Sequence, residues 1–354
     1  MRFPGKRALL WGAAGTVTAG AIASAGAVVA AGALIRRLRM ADMSGKVVLI
    51  TGGSRGLGFA IAQEFAALGC RIVICARDTA ELERAAAELR RNGVEVLGIE
   101  CDVANQEQVN SMVSRATEHF GRIDVLVNNA GIISVGPLES QTVEDFREAM
   151  DVMFWGQVYT TLAVLPQMRQ RRSGWIANVS SIGGKISVPH LVPYSCAKFA
   201  SVGLSEGLCA EVAKDGISVT TVVPGLMRTG SHINAYFKGD HRAEYSWFSL
   251  AATNPLSSIS ARRAARSIVR AIRRGQAELI LSLPAKLAVV IHGLLPGTTS
   301  RMMGMTNRVM PGTGTDSKER FRGRESETPV TRSPLTSLGK RASREYLQQP
   351  ATNQ

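Results

Sequence analysis

The sequence predicts an α/β fold, a doubly wound parallel sheet of about seven strands, on two observations. From Lys46 onward, short runs of Val, Ile and Leu alternate with helix-length amphipathic stretches. A glycine-rich segment follows the first of those runs and opens the first helix. A third observation sets the region before Lys46 apart: residues 8–35 carry no charge over 28 positions.

Taken in order, residues 8–35 exceed the roughly 20 apolar residues that span a bilayer core. The alternative is a signal peptide, with MRFPGKR as its basic start and cleavage sites at the Ala-rich end. The length of the run, with Arg36, Arg37 and Arg39 directly after it, favours an uncleaved membrane anchor over residues 1–43. A single domain over 44–283 follows. Its strands are KVVLIT, RIVICA, VEVLGIEC, IDVLVNN, GWIANVSS, ISVTTVV and AELILSL. Between them lie GFAIAQEFAALG, TAELERAAAELRRNG, NQEQVNSMVSRATEHFG, a long helical stretch over 142–171, the helix beginning PYSCAKF, and a helix near 260–274. Between Thr229 and Pro255 the periodicity fades, as expected of a loop or small helices. Residues 284–310 are apolar but broken by Pro296 and Gly297, which leaves a bilayer-surface segment or packing on the domain itself. The tail over 311–354, rich in Ser, Thr, Gly and charge, is expected to be disordered.

Charge excludes one function class. The chain carries +14, but residues 47–259 hold 18 basic and 21 acidic residues, so the excess lies outside the main domain. A nucleic-acid reader would carry its basic face on the folded domain, so no nucleic-acid partner is expected. Basic flanks beside apolar segments suit an anionic membrane surface better. The five cysteines form no CxxC and have no His at metal spacing, so no metal site is expected.

Two segments carry chemistry. Tyr194 and Lys198 lie four apart on a helix and therefore share a face. A nearby ammonium favours phenolate and lowers the phenol pKa, which suits acid–base work. Thr51-Gly52-Gly53-Ser54-Arg55-Gly56-Leu57-Gly58 lies between a strand and a helix, where glycines let the backbone approach a pyrophosphate.

With its TGxxxGxG spacing and YSCAK together, the chain resembles the short-chain dehydrogenase/reductase family over residues 44–283, a Rossmann-like fold. The resemblance extends to Asp102-Val103 after the third strand, to Asn128-Asn129-Ala130-Gly131, to Ser181 thirteen residues before Tyr194, and to Pro224-Gly225 with Thr229. It implies an oxidoreductase in which Tyr194 exchanges a proton with the substrate oxygen while hydride moves to or from a nicotinamide. Lys198 would lower the Tyr194 pKa and hold the nicotinamide ribose, and Ser181 would orient the substrate oxygen. The cofactor would lie on Gly52, Ser54, Arg55, Gly56, Leu57, Gly58, Arg77, Asp102, Val103, Asn128, Ala130, Gly131, Tyr194, Lys198, Pro224, Gly225 and Thr229. Family members commonly place an Asn where this chain has Met153, and a thioether cannot replace an amide's donors. That departure motivates an alternative, a membrane-tethered NADP-binding scaffold or sensor with little catalysis.

The second strand ends in Cys75-Ala76-Arg77 without an acid, and Arg55 lies in the glycine loop, so NADP is expected over NAD. Ile233, Tyr236, Phe237, Tyr245, Trp247 and Phe248 suggest a lipophilic carbonyl or alcohol substrate, although small helices would also use them for packing. The resemblance also implies a homodimer or homotetramer. NADPH and unpaired cysteines both suit a catalytic domain facing the cytoplasm.

Overall fold

The computed structural model describes residues 40–91, 93–255, 257–314 and 318–349. The chain divides into two units, residues 1–42 and residues 43–354, and everything below concerns the second. The expected anchor at 8–35 lies outside the described residues. Among the described residues, no helix is long and apolar enough to cross a membrane.

Seven strands form one sheet: β1 (Val47–Thr51), β2 (Arg71–Ala76), β3 (Val96–Glu100), β4 (Val125–Asn128), β6 (Gly174–Val179), β7 (Ile217–Val223) and β11 (Glu278–Ile280). The order is β11-β7-β6-β4-β1-β2-β3, every pairing parallel. All seven coincide with the expected apolar runs. Val47, Val48, Leu49 and Ile50 are all fully buried, because helices cover both faces of such a sheet and remove any need for alternation. On one side α1 (Gly56–Ala66) packs against α2 (Thr79–Arg90) and α8 (Ala261–Arg273). On the other, α3 (Gln106–Phe120) packs against α5 (Gly156–Arg171), and α4 (Val143–Met150) against α6 (Val192–Val212). Strand order reverses between β1 and β4, where a doubly wound sheet opens a crevice at its carboxyl end.

The helical stretch expected over 142–171 is continuous from α4 to α5, but Asp151–Trp155 widen into a π turn. Such turns are uncommon and gather at functional sites. The region after Thr229 forms β9 (Tyr236–Phe237) and α7 (His241–Thr253), with a short parallel pairing of β9 to β5 (Ser134–Val135). A further short pair joins β8 (Leu226–Arg228) to β10 (Ser258–Ser260).

The tail overturns an expectation. Residues 318–349 are ordered: β12 (Phe321–Arg322) pairs antiparallel with β9, followed by α11 (Pro329–Arg332) and α12 (Ser337–Glu345). Arg320 ties the tail to an ion cluster whose centre, Asp145 and Lys238, is buried. Asp145 at the start of α4 accepts from Lys238 Nζ at 2.5 Å and from Arg320 Nη2 at 2.7 Å, and Arg320 also meets Glu148 at 2.7 Å. Charge that reads as disorder in sequence is here neutralised by partners distant in the chain. Residues 284–310 resolve into a helical hairpin, α9 (Leu283–Leu294) and α10 (Pro296–Asn307), that buries only Ala285 and Thr299. Packing on the domain's own surface is therefore slight.

Candidate active site

A cavity of about 660 Å³ opens at the carboxyl ends of β1, β2, β4 and β6. Its floor is the β1–α1 loop. The Thr51 hydroxyl accepts from the Asn129 and Ala130 amides at 3.0 Å, and Asn129 Nδ2 donates to the carbonyls of Thr51 and Gly52. Gly52 turns at φ 62°. Gly58 is required for a different reason, since a Cβ there would collide with the Gly52 carbonyl and the Asn129 side chain. No side chain caps α1, and the Leu57 amide has no acceptor among the described residues. An open Leu57 amide at a helix start behind a glycine turn fits an anionic phosphate, so this cradle suits a dinucleotide.

Most sequence-derived residues line the cavity: Gly52, Ser54, Arg55, Gly56, Leu57, Arg77, Asp102, Val103, Ala130, Gly131, Ser181, Tyr194, Lys198, Pro224, Gly225 and Thr229. Two do not. Gly58 lies behind the loop. Asn128, buried at the end of β4, bonds to Thr160, Thr161 and Asn178. Successive residues along a strand point to opposite sides, which makes Asn129 the neighbour that reaches the loop. The two arginines expected to read a 2′-phosphate are both near acids. Arg55 is ion-paired with Glu81, and the half-exposed Arg77 lies 3.9 Å from Asp102.

At the other end, Ser181, Tyr194 and Lys198 converge. Ser181 Oγ accepts from the Gly183 amide at 3.1 Å, which orients the hydroxyl. Its hydroxyl lies near enough to the Tyr194 phenol to favour the phenolate. Gly183 leaves room for the phenol ring, whose Cε1 would lie 3.2 Å from a Cβ there. Lys198 Nζ donates to the Val179 carbonyl at 2.8 Å and sits 5.6 Å from the centre of the Tyr194 ring. Burial alone brings the Lys198 pKa down to about 8. The expected depression of the Tyr194 pKa is not found. Burial disfavours the phenolate and outweighs the Ser181 hydroxyl, so the net direction is upward. The resting phenol is protonated.

Met153 is fully buried in the π turn, and a Cβ on Gly131 would lie 3.5 Å from its Sδ and 3.8 Å from Lys198 Nζ. The thioether thus occupies the neighbourhood where a relay amide was looked for, and offers only a weak acceptor. The aromatic residues after Thr229 are mostly core. Phe237, Tyr245 and Phe248 pack with Val135 and Ala235, while Tyr236 reaches the cavity. Sequence reasoning missed Asn129, Asn234, Arg322 and Gln348, which also line it. Only Asn129 carried a signal, as part of the NNAG run.

The chain belongs to the short-chain dehydrogenase family, whose profile matches residues 46–236. It is 36% identical over 245 residues to a "Dehydrogenase/reductase SDR family protein 7-like" of Anopheles gambiae, covering 68% of this chain and 76% of that one. A short-chain dehydrogenase from Streptomyces avermitilis superposes with a TM-score of 0.65 at 32% identity, over 75% of this chain and 98% of that structure. L-Sorbose reductase from Gluconobacter frateurii, complexed with NADPH and L-sorbose, gives a TM-score of 0.61 at 30% identity, over 68% and 97%. The protein is therefore an oxidoreductase acting on CH–OH or C=O groups.

Proposed function

We propose that the protein is an NADP-dependent carbonyl reductase or alcohol dehydrogenase for a lipophilic substrate, attached to a membrane with its catalytic domain in the cytoplasm. The observation that carries the catalytic reading is the convergence of Ser181, Tyr194 and Lys198 at one end of a cavity whose other end is the glycine cradle. NADP, when bound, supplies or accepts the hydride. Tyr194, held protonated by burial, donates a proton to the substrate oxygen in reduction and takes it back in oxidation. Ser181 hydrogen-bonds that oxygen and stabilises charge developing on it. Lys198 provides the cation beside the phenol. Arg55 and Arg77 support NADP over NAD, as does the NADPH bound by L-sorbose reductase. A scaffold without turnover rests on Met153 alone and leaves the assembled trio without a role.

Membrane attachment is supported by the uncharged residues 8–35 and by the hairpin. Leu283, Leu287, Val290, Ile291 and Leu294 form an exposed stripe along α9, continued by Met302, Met305 and Val309. Residues 283–309 carry three cations and no acid, which complements an anionic lipid surface. The hairpin's first turn packs on Gly225 at the cavity wall, with Ser282 Oγ 3.4 Å from the place of a Cβ, so a lipophilic substrate would have a short path to the site. Assembly as a homodimer or homotetramer rests on the family resemblance.

The test is Tyr194→Phe assayed on a panel of hydrophobic carbonyls. NADPH binding should persist while turnover falls by roughly 100-fold or more. Undiminished turnover would remove Tyr194 from the mechanism. For the membrane, a chain lacking residues 1–40 should float with anionic vesicles, and Leu287→Glu with Leu294→Glu should abolish flotation. Equal flotation of both chains would refute the hairpin's part.

A further inference from the structure

The C-terminal segment enters the cavity. After α12, Leu347 reverses the chain at φ 54°, and the Gln348 amide closes the turn on the Ser343 carbonyl at 2.8 Å. Two elements of the glycine-loop half hold this turn. The Gly56 amide at the start of α1 donates to the Tyr346 carbonyl at 2.8 Å. Arg84 of α2 donates to the carbonyls of Leu347 and Gln349 at 2.7 and 2.8 Å.

The turn places one side chain. Gln348 is 5% exposed and lines the cavity together with Gly56 and Leu57. Asn234 Nδ2 donates at 2.8 Å both to the Gln348 backbone carbonyl and to its Oε1. A backbone carbonyl only accepts, so Asn234 presents its NH₂ there, and the Gln348 atom facing it must be the oxygen. The Gln348 amide nitrogen is thereby turned onto Gly56, where only a glycine leaves room for it. It has no acceptor among the described residues. This open donor and the open Leu57 amide both belong to residues that line the cavity at the start of α1, where the Gly56 amide is already taken by the Tyr346 carbonyl. The partner that satisfies both is an anion.

We propose that residues 343–349 are a strap completing the cofactor site, with the Gln348 amide donating to the pyrophosphate and Arg84 positioning the strap. This rests on the dinucleotide reading of the cradle. The strap is a wall and not a plug, since about 660 Å³ remains with it seated, a normal volume for a ligand pocket.

The experiment measures binding of NADPH and of ADP-ribose, by calorimetry, to the full chain and to Gln348→Ala, Gln348→Glu, Arg84→Ala and a chain ending at Glu345. Gln348→Ala should weaken both ligands by roughly threefold to tenfold, and Gln348→Glu by more, through like-charge repulsion. ADP-ribose should suffer as NADPH does, because both carry the pyrophosphate. Arg84→Ala should speed tryptic cleavage after Arg344, and NADPH should slow that cleavage in the full chain. Unchanged affinity of Gln348→Ala at unchanged melting temperature would overturn the proposal. Tighter NADPH binding by the shortened chain would overturn it too, by making the strap an inhibitor. If the shortened chain fails to fold, the point variants decide. Failure of the full chain to bind either ligand would overturn the dinucleotide reading itself, whereas normal binding with indifferent variants overturns the strap alone.

Discussion

Replacing Lys198 with methionine is expected to stabilise the protein at neutral pH while removing turnover. Burial lowers the Lys198 pKa from 10.5 to about 8, so the fold bears a penalty of about 3 kcal/mol for holding the charged form. Methionine has a similar length and no charge to bury. The substitution loses the bond to the Val179 carbonyl, worth about 1–1.5 kcal/mol. The net gain at pH 7 is therefore about 1–2 kcal/mol. Its pH dependence distinguishes this cause from better packing. Between pH 8 and 10.5 the unfolded chain still binds the Lys198 proton and the folded chain does not, so wild-type stability rises with pH across that window. Above 10.5 the amine is neutral in both states, and the variant should be the less stable by the value of the lost hydrogen bond. Urea denaturation of both proteins at pH 7, 8.5 and 10.5, without cofactor, reads the difference. A variant less stable than wild type at pH 7, or a gap that stays constant across this range, would refute the reasoning.

Arg55→Ala and Arg77→Ala should each weaken NADPH by about tenfold and NADH far less, because only NADPH carries the 2′-phosphate; equal losses would show that neither arginine reads it. Glu81→Gln, which releases Arg55 from its ion pair, should tighten NADPH in the same titration. Burial pushes the Asp145 pKa up, but hydrogen bonds from Lys238 and Arg320 outweigh it and hold the carboxyl at about 2. Its contribution of about 2 kcal/mol is complete above the ordinary carboxylate pKa and lost as pH falls from about 4 toward 2. Asp145→Asn should cost roughly 3 kcal/mol at pH 7 and flatten acid denaturation in that window, measured by tryptophan fluorescence; an unchanged acid transition would discount the cluster.

Local pattern was sufficient for much of this molecule. The seven strands are legible because a sheet covered on both faces demands unbroken apolar runs, and such runs are visible without partners. Ser181, Tyr194, Lys198 and the glycine loop are legible because each role depends on a fixed offset within one strand, loop or helix turn. The direction of Tyr194's pKa was not legible, since burial from many elements sets it and the four-residue spacing of Lys198 describes only one neighbour. Spacing also could not show Arg55 paired with Glu81 on the next helix, or Met153 buried within a π turn. The tail shows the limit most plainly. Its residues have no apolar period of their own, and its order comes from Asp145, 175 positions before Arg320, and from Arg84, 263 positions before Leu347. A polar segment can neutralise and bury its charges only where the rest of the fold has already placed the opposite ones, and that placement exists only in three dimensions.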